Sequence, residues 1–244
     1  RAVGAALGQP ITVSAPLIFI NPTFIAARLQ RAVGGSLSAV AVAGDTVTLK
    51  TTRPGVLRIS PNDSTGFSDS IQIAIGVGSS SFTYYIQGVD TITADSVDVI
   101  ATLPGFTADT ARYSVFTPVF DIIFLNSTGN TRTGNDAFQT RIGSASSLTA
   151  GISVEDVLRF GHAPISFSVV NDSAAVGELI TTSLSGDSVT VSIGAKQSRS
   201  PTSVALGGVE FDYTAGGVTN VRSSTSAGFR PVGAALGQAV TVSA

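Results

Sequence analysis

Apolar and polar residues alternate along much of this 244-residue chain. The alternation is clearest in five segments, which read VTLKT from position 47, IQIAI from 71, VDVIA from 97, ISFSV from 165 and VTVSI from 189. A period of two residues with many β-branched side chains is typical of a strand with one buried and one solvated face. Turn-forming residues, mainly Gly, Pro, Asn and Asp, separate these segments. The pattern predicts an all-β protein of antiparallel β-sandwiches.

Helical patterns are scarce. Residues 153–160 (SVEDVLRF) place Ser153 and Asp156 in the positions of a capping box, which predicts one or two helical turns. In that interpretation Glu155 and Asp156 lie near the positive end of the helix dipole. Residues 23–33 are compatible with either a strand or a short helix.

The two ends of the chain have nearly the same sequence. Residues 1–15 read RAVGAALGQPITVSA and residues 230–244 read RPVGAALGQAVTVSA, so twelve of fifteen positions match at an offset of 229 residues. Self-similarity at a fixed period is the sequence signature of a repeat array. We therefore expect the chain to be one period of a longer tandem repeat, in which residues 1–15 form the terminal strand of a preceding copy.

A weaker repeat divides this period into two halves. The aligned pairs are residues 69–76 with 187–194, residues 88–89 with 208–209, residues 105–106 with 228–229, and residues 112–118 with the strand from 239. Their offsets increase along the chain, as loop insertions would produce. The repeat predicts two tandem immunoglobulin-like β-sandwich modules, residues 16–117 and residues 118–244.

Three stretches of the first half carry a family resemblance. They are GDTVTLKTTRPGVLRIS at 44–60, SFTYYIQGVD at 81–90 and VIATLPGFTADTARYSVF at 99–116. They resemble the bacterial immunoglobulin-like repeats of large secreted and cell-surface proteins, and the second half carries a degenerate version. The resemblance implies an extracellular or cell-surface location in bacteria and a role in stalks, adhesins, surface layers or filaments. It brings no catalytic residues.

Composition narrows the function further. Only 12% of the residues are charged, whereas 43% are hydrophobic, which indicates that neighbouring copies cover part of the surface. The net charge is −2, and the lysines, Lys50 and Lys196, form no cluster, so we expect no nucleic-acid partner. No apolar stretch approaches the ~20 residues of a membrane-spanning helix.

The sequence offers little for catalysis or metal binding. It has no cysteine and one histidine, His162, which leaves no basis for a Cys-His or Ser-His-Asp centre or for a structural zinc site. The adjacent Glu155 and Asp156 do not form the opposed pair of a glycosidase. The one cofactor for which the sequence offers candidate ligands is calcium. The candidate oxygen ligands lie at residues 62–64 with 68–69, or at 171–173. We predict no enzyme and no catalytic, cofactor-binding or metal residues.

Two features are candidates for contacts with other molecules. The apolar residues of the repeated terminal strand, Ile11 and Val13 in one copy and Val240 and Val242 in the other, either close their own module or complete another sandwich by strand donation. Tyr84 and Tyr85 are neighbours on a predicted strand, so one points inward and the other outward, where it could contact a sugar or a neighbouring module.

These observations predict a structural repeat unit of an extracellular filament, sheath or surface layer that associates with identical repeats. The alternative is an adhesin stalk or a carbohydrate- or ligand-binding surface module. A virion or tail decoration protein is a third hypothesis.

Overall fold

The computed structural model describes residues 14–90, 94–147, 149–225 and 227–244. Within these ranges the chain forms twenty-one β-strands and two 3₁₀ helices. The first nine strands are β1 (Ile18–Ile20), β2 (Thr23–Ala26), β3 (Leu29–Leu37), β4 (Thr46–Thr51), β5 (Leu57–Ser60), β6 (Ser70–Ala74), β7 (Ser81–Gly88), β8 (Ala94–Thr102) and β9 (Asp109–Phe116). The others are β10 (Val119–Ile123), β11 (Thr128–Asn130), β12 (Asp136–Gly143), β13 (Val157–Leu158), β14 (Ile165–Asn171), β15 (Gly177–Ile180), β16 (Ser185–Gly186), β17 (Ser188–Ile193), β18 (Val209–Tyr213), β19 (Gly217–Ser224), β20 (Arg230–Pro231) and β21 (Gln238–Ser243). The 3₁₀ helices are η1 (Val204–Leu206) and η2 (Gly233–Leu236).

Strands β1 to β9 form two facing sheets, called here the N-terminal sheet pair. One sheet has the order β1-β3-β7-β5 and the other has the order β2-β9-β8-β4-β6. All neighbours are antiparallel except β2, which runs parallel to β9. The hydroxyls of Tyr84 on β7 and Tyr113 on β9 contact each other between the sheets, which shows that the sheets pack face to face.

Strands β10 to β21, without β13, form the C-terminal sheet pair. One sheet has the order β16-β15-β18-β12-β10-β20, and the other has the order β11-β21-β19-β14-β17. Here two edge pairings are parallel, β11 with β21 and β20 with β10. Phe120 on β10 and Phe167 on β14 pack between the two sheets, with ring centroids 5.0 Å apart.

The two sheet pairs have the same topology. If β13, β16 and β20 are set aside, the strands of the C-terminal pair match β1 to β9 in order and in sheet position. Of the aligned sequence segments, residues 69–76 and 187–194 do contain equivalent strands, β6 and β17. Gly88 and Gly208 are not equivalent, because Gly88 ends β7 whereas Gly208 precedes its counterpart β18. The connection before β18 is longer than the connection before β7, which shifts the alignment.

The alternating segments behave as the two-residue period predicts. Val47 and Leu49 of β4 are fully buried, while Lys50 of the same strand is exposed. Alternate residues of β17 are buried in the same way. Residues 23–33 form β2 and β3, separated by a turn at Arg28 with a left-handed φ of 68°. The predicted fold class, all-β with immunoglobulin-like sandwiches, is confirmed; the division into two modules, residues 16–117 and 118–244, stays a prediction.

The helix predicted for residues 153–160 is wrong. Val157 and Leu158 form β13, which pairs with Gln30 and Leu29 of β3 in the N-terminal sheet pair. Leu158 and Asp156 are buried by that contact. Long-range strand pairing therefore replaces the local capping interaction that the sequence suggests.

Candidate assembly surfaces

The terminal strand β21 completes its own sheet. It pairs antiparallel with β19 over residues 238–242 and parallel with β11 on its other side. Val240 and Val242 are buried in the sandwich. The alternative in which residues 230–244 close their own module therefore describes this chain, and donation of this copy to another sandwich is not seen. Ile11 and Val13 lie outside the described residues.

The segment that ends in β21 spans both sheets of the C-terminal pair. Arg230 N donates to Pro118 O and Val232 N donates to Phe120 O, both at 2.9 Å, which places β20 beside β10. The chain then crosses through η2 to the opposite sheet, where β21 lies. We call the space occupied by residues 230–244 the terminal-strand slot.

Gly233 sets a strict requirement within this slot. Its φ is 53°, and a Cβ added there would lie 2.7 Å from the Asp121 carboxylate. A side chain would therefore meet both backbone strain and a polar clash. A segment that fits the slot needs glycine at this position.

The two candidate tyrosines lie in different environments. Tyr84 is fully buried, so it is the ring that points inward and it is ruled out as an exposed contact. Desolvation raises the pKa of its phenol well above its ordinary value. Tyr85 is half-buried and lines a cavity of about 280 Å³ between the two sheet pairs. Only Tyr85 of the two is accessible to another molecule.

The junction between the sheet pairs is built on backbone pairing. Besides the bridge between β13 and β3, Arg159 N donates to Arg28 O at 2.9 Å. Phe160 N donates to Gln30 Oε1 at 2.7 Å, and Gln87 Nε2 donates to the same oxygen at 2.9 Å. These bonds continue the β3 edge into the C-terminal half and fix the two sheet pairs against each other.

Asp156 lies at the centre of this junction. Its Oδ2 accepts a hydrogen bond from Ser144 Oγ, which in turn accepts one from Ala26 N at 2.7 Å. Its Oδ1 lies 3.4 Å from Arg31 Nε. Burial raises the pKa of Asp156 to about 6, against the opposing effects of Arg31 and the Ser144 hydrogen bond. The buried carboxylate thus links strands of both sheet pairs.

Ion pairs surround the buried carboxylate at the rim of the junction. Lys196 Nζ lies 2.6 Å from Asp63 Oδ2, and Arg159 Nη2 lies 2.9 Å from Asp90 Oδ2. The Lys196 hydrogen bond, followed by that of Ser64, lowers the pKa of Asp63. Because these pairs are largely exposed, they contribute orientation and specificity more than stability. No pattern in the sequence indicates these partners, which are far apart along the chain.

The calcium candidates are engaged in other interactions. Asn62 Oδ1 accepts hydrogen bonds from Ser64 N at 3.0 Å and Thr65 N at 2.7 Å, which is an Asx turn. In the second candidate, Asn171 is buried and donates to Gly177 O. Among the described residues, no group of three or more His, Asp or Glu side chains is arranged to hold a metal ion.

His162 lies in the loop between β13 and β14, where its Nδ1 is 2.6 Å from Ala163 O. Glu155, which the sequence placed at a helix start, instead forms a bidentate pair with Arg199 at 2.6 and 2.7 Å. Over the described ranges, the chain contains no helix with the length and apolar character to cross a membrane.

Comparisons with known proteins give only distant likenesses. No family model and no curated protein matches the chain. Among solved structures it is similar to a mutant Salmonella α2-macroglobulin, with a TM-score of 0.29, 10% identity, and coverage of 96% of this chain and 17% of that chain. It is similar to Escherichia coli α2-macroglobulin activated by porcine elastase, with a TM-score of 0.27, 8% identity, and coverage of 93% and 22%.

A third likeness is to Dpr2 Ig1-Ig2 in complex with DIP-Theta Ig1-Ig3. Its TM-score is 0.27, with 14% identity and coverage of 93% of this chain and 64% of that chain. The chain spans less than a quarter of either macroglobulin. These likenesses are too distant to indicate a function for this chain.

Proposed function

We propose that this chain is a non-enzymatic structural repeat unit of an extracellular bacterial filament, sheath or surface layer. Successive units associate through their β-sandwiches, and residues 1–15 occupy the terminal-strand slot of another unit. The observation that carries this proposal is the match between residues 1–15 and residues 230–244, since the latter form an integral part of a sandwich. The low content of charged residues supports close packing among units.

Residues 1–15 meet the requirements of the slot position by position. Gly4 stands where Gly233 is needed, and Ile11 and Val13 stand at the positions of the buried Val240 and Val242. An isoleucine in place of valine keeps the β-branched shape that suits a strand. The apolar, glycine and strand positions of the slot are therefore all matched by the first copy.

The proline at position 10 is also compatible with the slot. Its counterpart is Ala239, whose amide points to the same side of β21 as the amide of Thr241, because amides alternate along a strand. Thr241 N donates to Ser127 O at 2.9 Å, on the β11 side of the sheet. Strand β11 begins opposite Thr241, so residue 239 lies before the part of β21 that pairs with β11. A proline, which has no amide hydrogen, therefore removes no hydrogen bond between these two strands at position 239.

A shortened chain, residues 1–229, tests the proposal. It lacks β20, η2 and β21 and so leaves the slot empty, while residues 1–15 are still present. We expect residues 1–15 of one molecule to fill the slot of the next, giving linear polymers by electron microscopy and sedimentation. The matched control carries Ile11→Asp and Val13→Asp, which place charges at the two buried positions, and is expected to lose the polymerisation that depends on the slot.

A synthetic peptide of residues 230–244 shows whether the shortened chain is folded. It should bind the empty slot and prevent polymer growth. A shortened chain that binds this peptide but remains monomeric without it would show that residues 1–15 do not fill the slot, and the proposal would fail.

The alternative role as a carbohydrate- or ligand-binding module is supported by one observation. The half-buried ring of Tyr85 lines the junction cavity together with polar groups, including Gln30 and Asp63. Aromatic rings beside hydrogen-bonding groups suit sugar binding. Titration calorimetry with neutral oligosaccharides, comparing the natural chain with Tyr85→Ala, tests this role; heat of binding that is unchanged in the variant would rule out the cavity.

A further inference from the structure

The loops at one end of each sheet pair are equivalent. Residues 38–45, between β3 and β4, correspond to residues 144–164, between β12 and β14. Residues 75–80, between β6 and β7, correspond to residues 194–208, between β17 and β18. In the C-terminal pair these loops form the junction with the N-terminal pair. In the N-terminal pair they form the end of the structure at which the chain enters β1.

Shared hydrogen bonds fix the equivalence residue by residue. Gly78 N donates to Ala41 O at 2.9 Å, and Lys196 N donates to Leu158 O at 2.7 Å. Gly78 and Lys196 also share a left-handed backbone, with φ of 79° and 62°. Ala41 is therefore the counterpart of Leu158, and Gly78 is the counterpart of Lys196. By the same register, Val42 is the counterpart of Arg159.

The counterparts differ in exposure and charge. In the C-terminal pair, Arg159 and Lys196 form ion pairs across the junction. In the N-terminal pair Val42 and Gly78 stand at these positions, and the two loops that hold them present an apolar surface to solvent, where Val40 is 60% exposed, Val42 is 64% exposed and Val77 is 75% exposed. We call Val40, Val42 and Val77 the valine end. Single exposed hydrophobic residues are common on protein surfaces, but these three valines lie together on adjacent loops and form an apolar patch.

At the opposite end of the C-terminal sheet pair, the acidic partner Asp90 of the internal junction also has an uncharged counterpart. Val89 N donates to Val56 O and Thr214 N donates to Val176 O, both at 3.1 Å, so Asp90 has Ala215 as its counterpart. The connection that holds Asp63 corresponds to residues 181–187, where the exposed large hydrophobic residue is Leu184, at 55%. Residues 181–186 include no charged side chain, and Asp187 lies at the end of the connection, next to β17. We call this surface the leucine end.

The valine end and the leucine end therefore both differ from the internal junction in the same way. Where the internal junction pairs Arg159 with Asp90, the equivalent positions hold Val42 and Ala215. Where it pairs Lys196 with Asp63, the equivalent loops hold Val77 and Leu184. Both sides of the ion-pair contacts have become apolar, so each end is suited to the other and unsuited to the charged surfaces of the internal junction.

The path of the chain brings the valine end next to whatever precedes it. Leu17 N donates to Ser38 Oγ at 2.7 Å, and Ser38 N donates to Leu17 O at 2.9 Å. Each residue of chain spans at most about 3.6 Å. If residues 1–15 lie in the terminal-strand slot of another copy, only residues 16 and 17 connect that copy to the valine end. So short a connection holds the other copy next to the valine end.

We propose that the valine end of one copy docks on the leucine end of a second copy, head to tail. The partner is thus another molecule or repeat of this same chain, and this inference rests on the proposed function. The contact joins two different surfaces, so it does not close on itself in a dimer and can propagate as a linear assembly. It substitutes apolar burial for the ion pairs of the internal junction.

Sedimentation velocity of the full chain over a range of concentrations tests this docking. We expect the natural chain to form longer species as its concentration rises. Val77→Asp blocks the valine end and Leu184→Asp blocks the leucine end. Each should weaken association about a hundredfold or more, because docking would bury an unpaired carboxylate. Leu206→Asp, at an exposed leucine of η1 that belongs to neither end, is the matched control and should associate like the natural chain.

A mixture of the two blocked variants gives the sharpest outcome. Each variant keeps one intact end, so the mixture should form a one-to-one dimer and stop there, although each alone stays monomeric. Circular dichroism checks that both variants are folded. Variants that associate like the natural chain, or a mixture that stays monomeric, would overturn the docking.

The docking and the proposed function fail in different ways. A natural chain that stays monomeric at every concentration, while the chain of residues 1–229 polymerises through its empty slot, would overturn the docking and leave the repeat-unit function standing. A shortened chain that does not polymerise would overturn the proposed function, and the docking that rests on it, whatever the sedimentation of the full chain.

Discussion

Replacing Asp156 with asparagine should change how the stability of the fold depends on pH. The carboxyl is buried at the junction, and its pKa in the folded chain is raised from the ordinary 3.8 to about 6. The folded state thus holds this proton more tightly than the unfolded state does. The group stabilises the fold at pH values below 3.8, and this contribution is lost as the pH rises through about 6.

The magnitude follows from the gap between the two pKa values. That gap corresponds to about 3 kcal/mol of unfolding free energy. Asparagine at position 156 does not titrate, so the free energy of unfolding of the natural chain minus that of Asp156→Asn should fall by about 3 kcal/mol between about pH 4 and pH 7. The difference in unfolding free energy also has a part that does not vary with pH, because the variant loses the contact with Arg31. The test is therefore how the difference changes with pH.

Urea denaturation followed by circular dichroism measures this difference at each pH. Asp95→Asn is a control of opposite sign, because the hydrogen bond from Arg53 lowers the pKa of Asp95. Relative to that variant, the natural chain should lose stability as the pH falls. A difference between the natural chain and Asp156→Asn that stays constant, or grows as the pH rises, would mean that Arg31 and Ser144 outweigh burial, and the reasoning would be refuted.

Two further substitutions test the slot and the core. Gly233→Ala should destabilise the fold by about 1–3 kcal/mol, because the left-handed backbone and the Asp121 carboxylate both oppose a side chain, whereas Gly134→Ala, in open space, should change the melting temperature little. Tyr84→Phe should cost about 1–3 kcal/mol, because it leaves the buried Tyr113 hydroxyl without its partner, and adding Tyr113→Phe should recover part of that loss. Chemical denaturation of the single and double variants measures the coupling, and strictly additive costs would contradict the hydroxyl contact.

The strands were predictable because one face of each sheet is buried. In β4 and β17 the burial of alternate residues produces the two-residue period that the sequence displays. The repeated ends were also visible, since the terminal-strand slot constrains glycine and apolar positions alike. Each strand could be predicted from the residues of its own segment, without knowledge of which distant strand it pairs with.

The junction was not predictable from such patterns. The segment around Asp156 has a helical capping pattern, yet it pairs with β3, which lies more than a hundred residues earlier in the sequence. Lys196 and Asp63 meet only because the two sheet pairs are held end to end. Contacts of this kind depend on how whole sheets are placed, and a single sequence gives no periodic signal for them.

A disulfide between two molecules tests most directly whether residues 1–15 fill the slot. Val218 of β19 lies opposite Thr241 of β21, and Thr12 is the counterpart of Thr241 in the first copy. The chain has no natural cysteine, so Thr12→Cys and Val218→Cys in the chain of residues 1–229 provide the only thiols. Under mild oxidation we predict a ladder of cross-linked multimers that collapses to monomer on reduction. Monomer alone, while Val218→Cys with Thr241→Cys in the full chain forms its internal disulfide, would contradict the account.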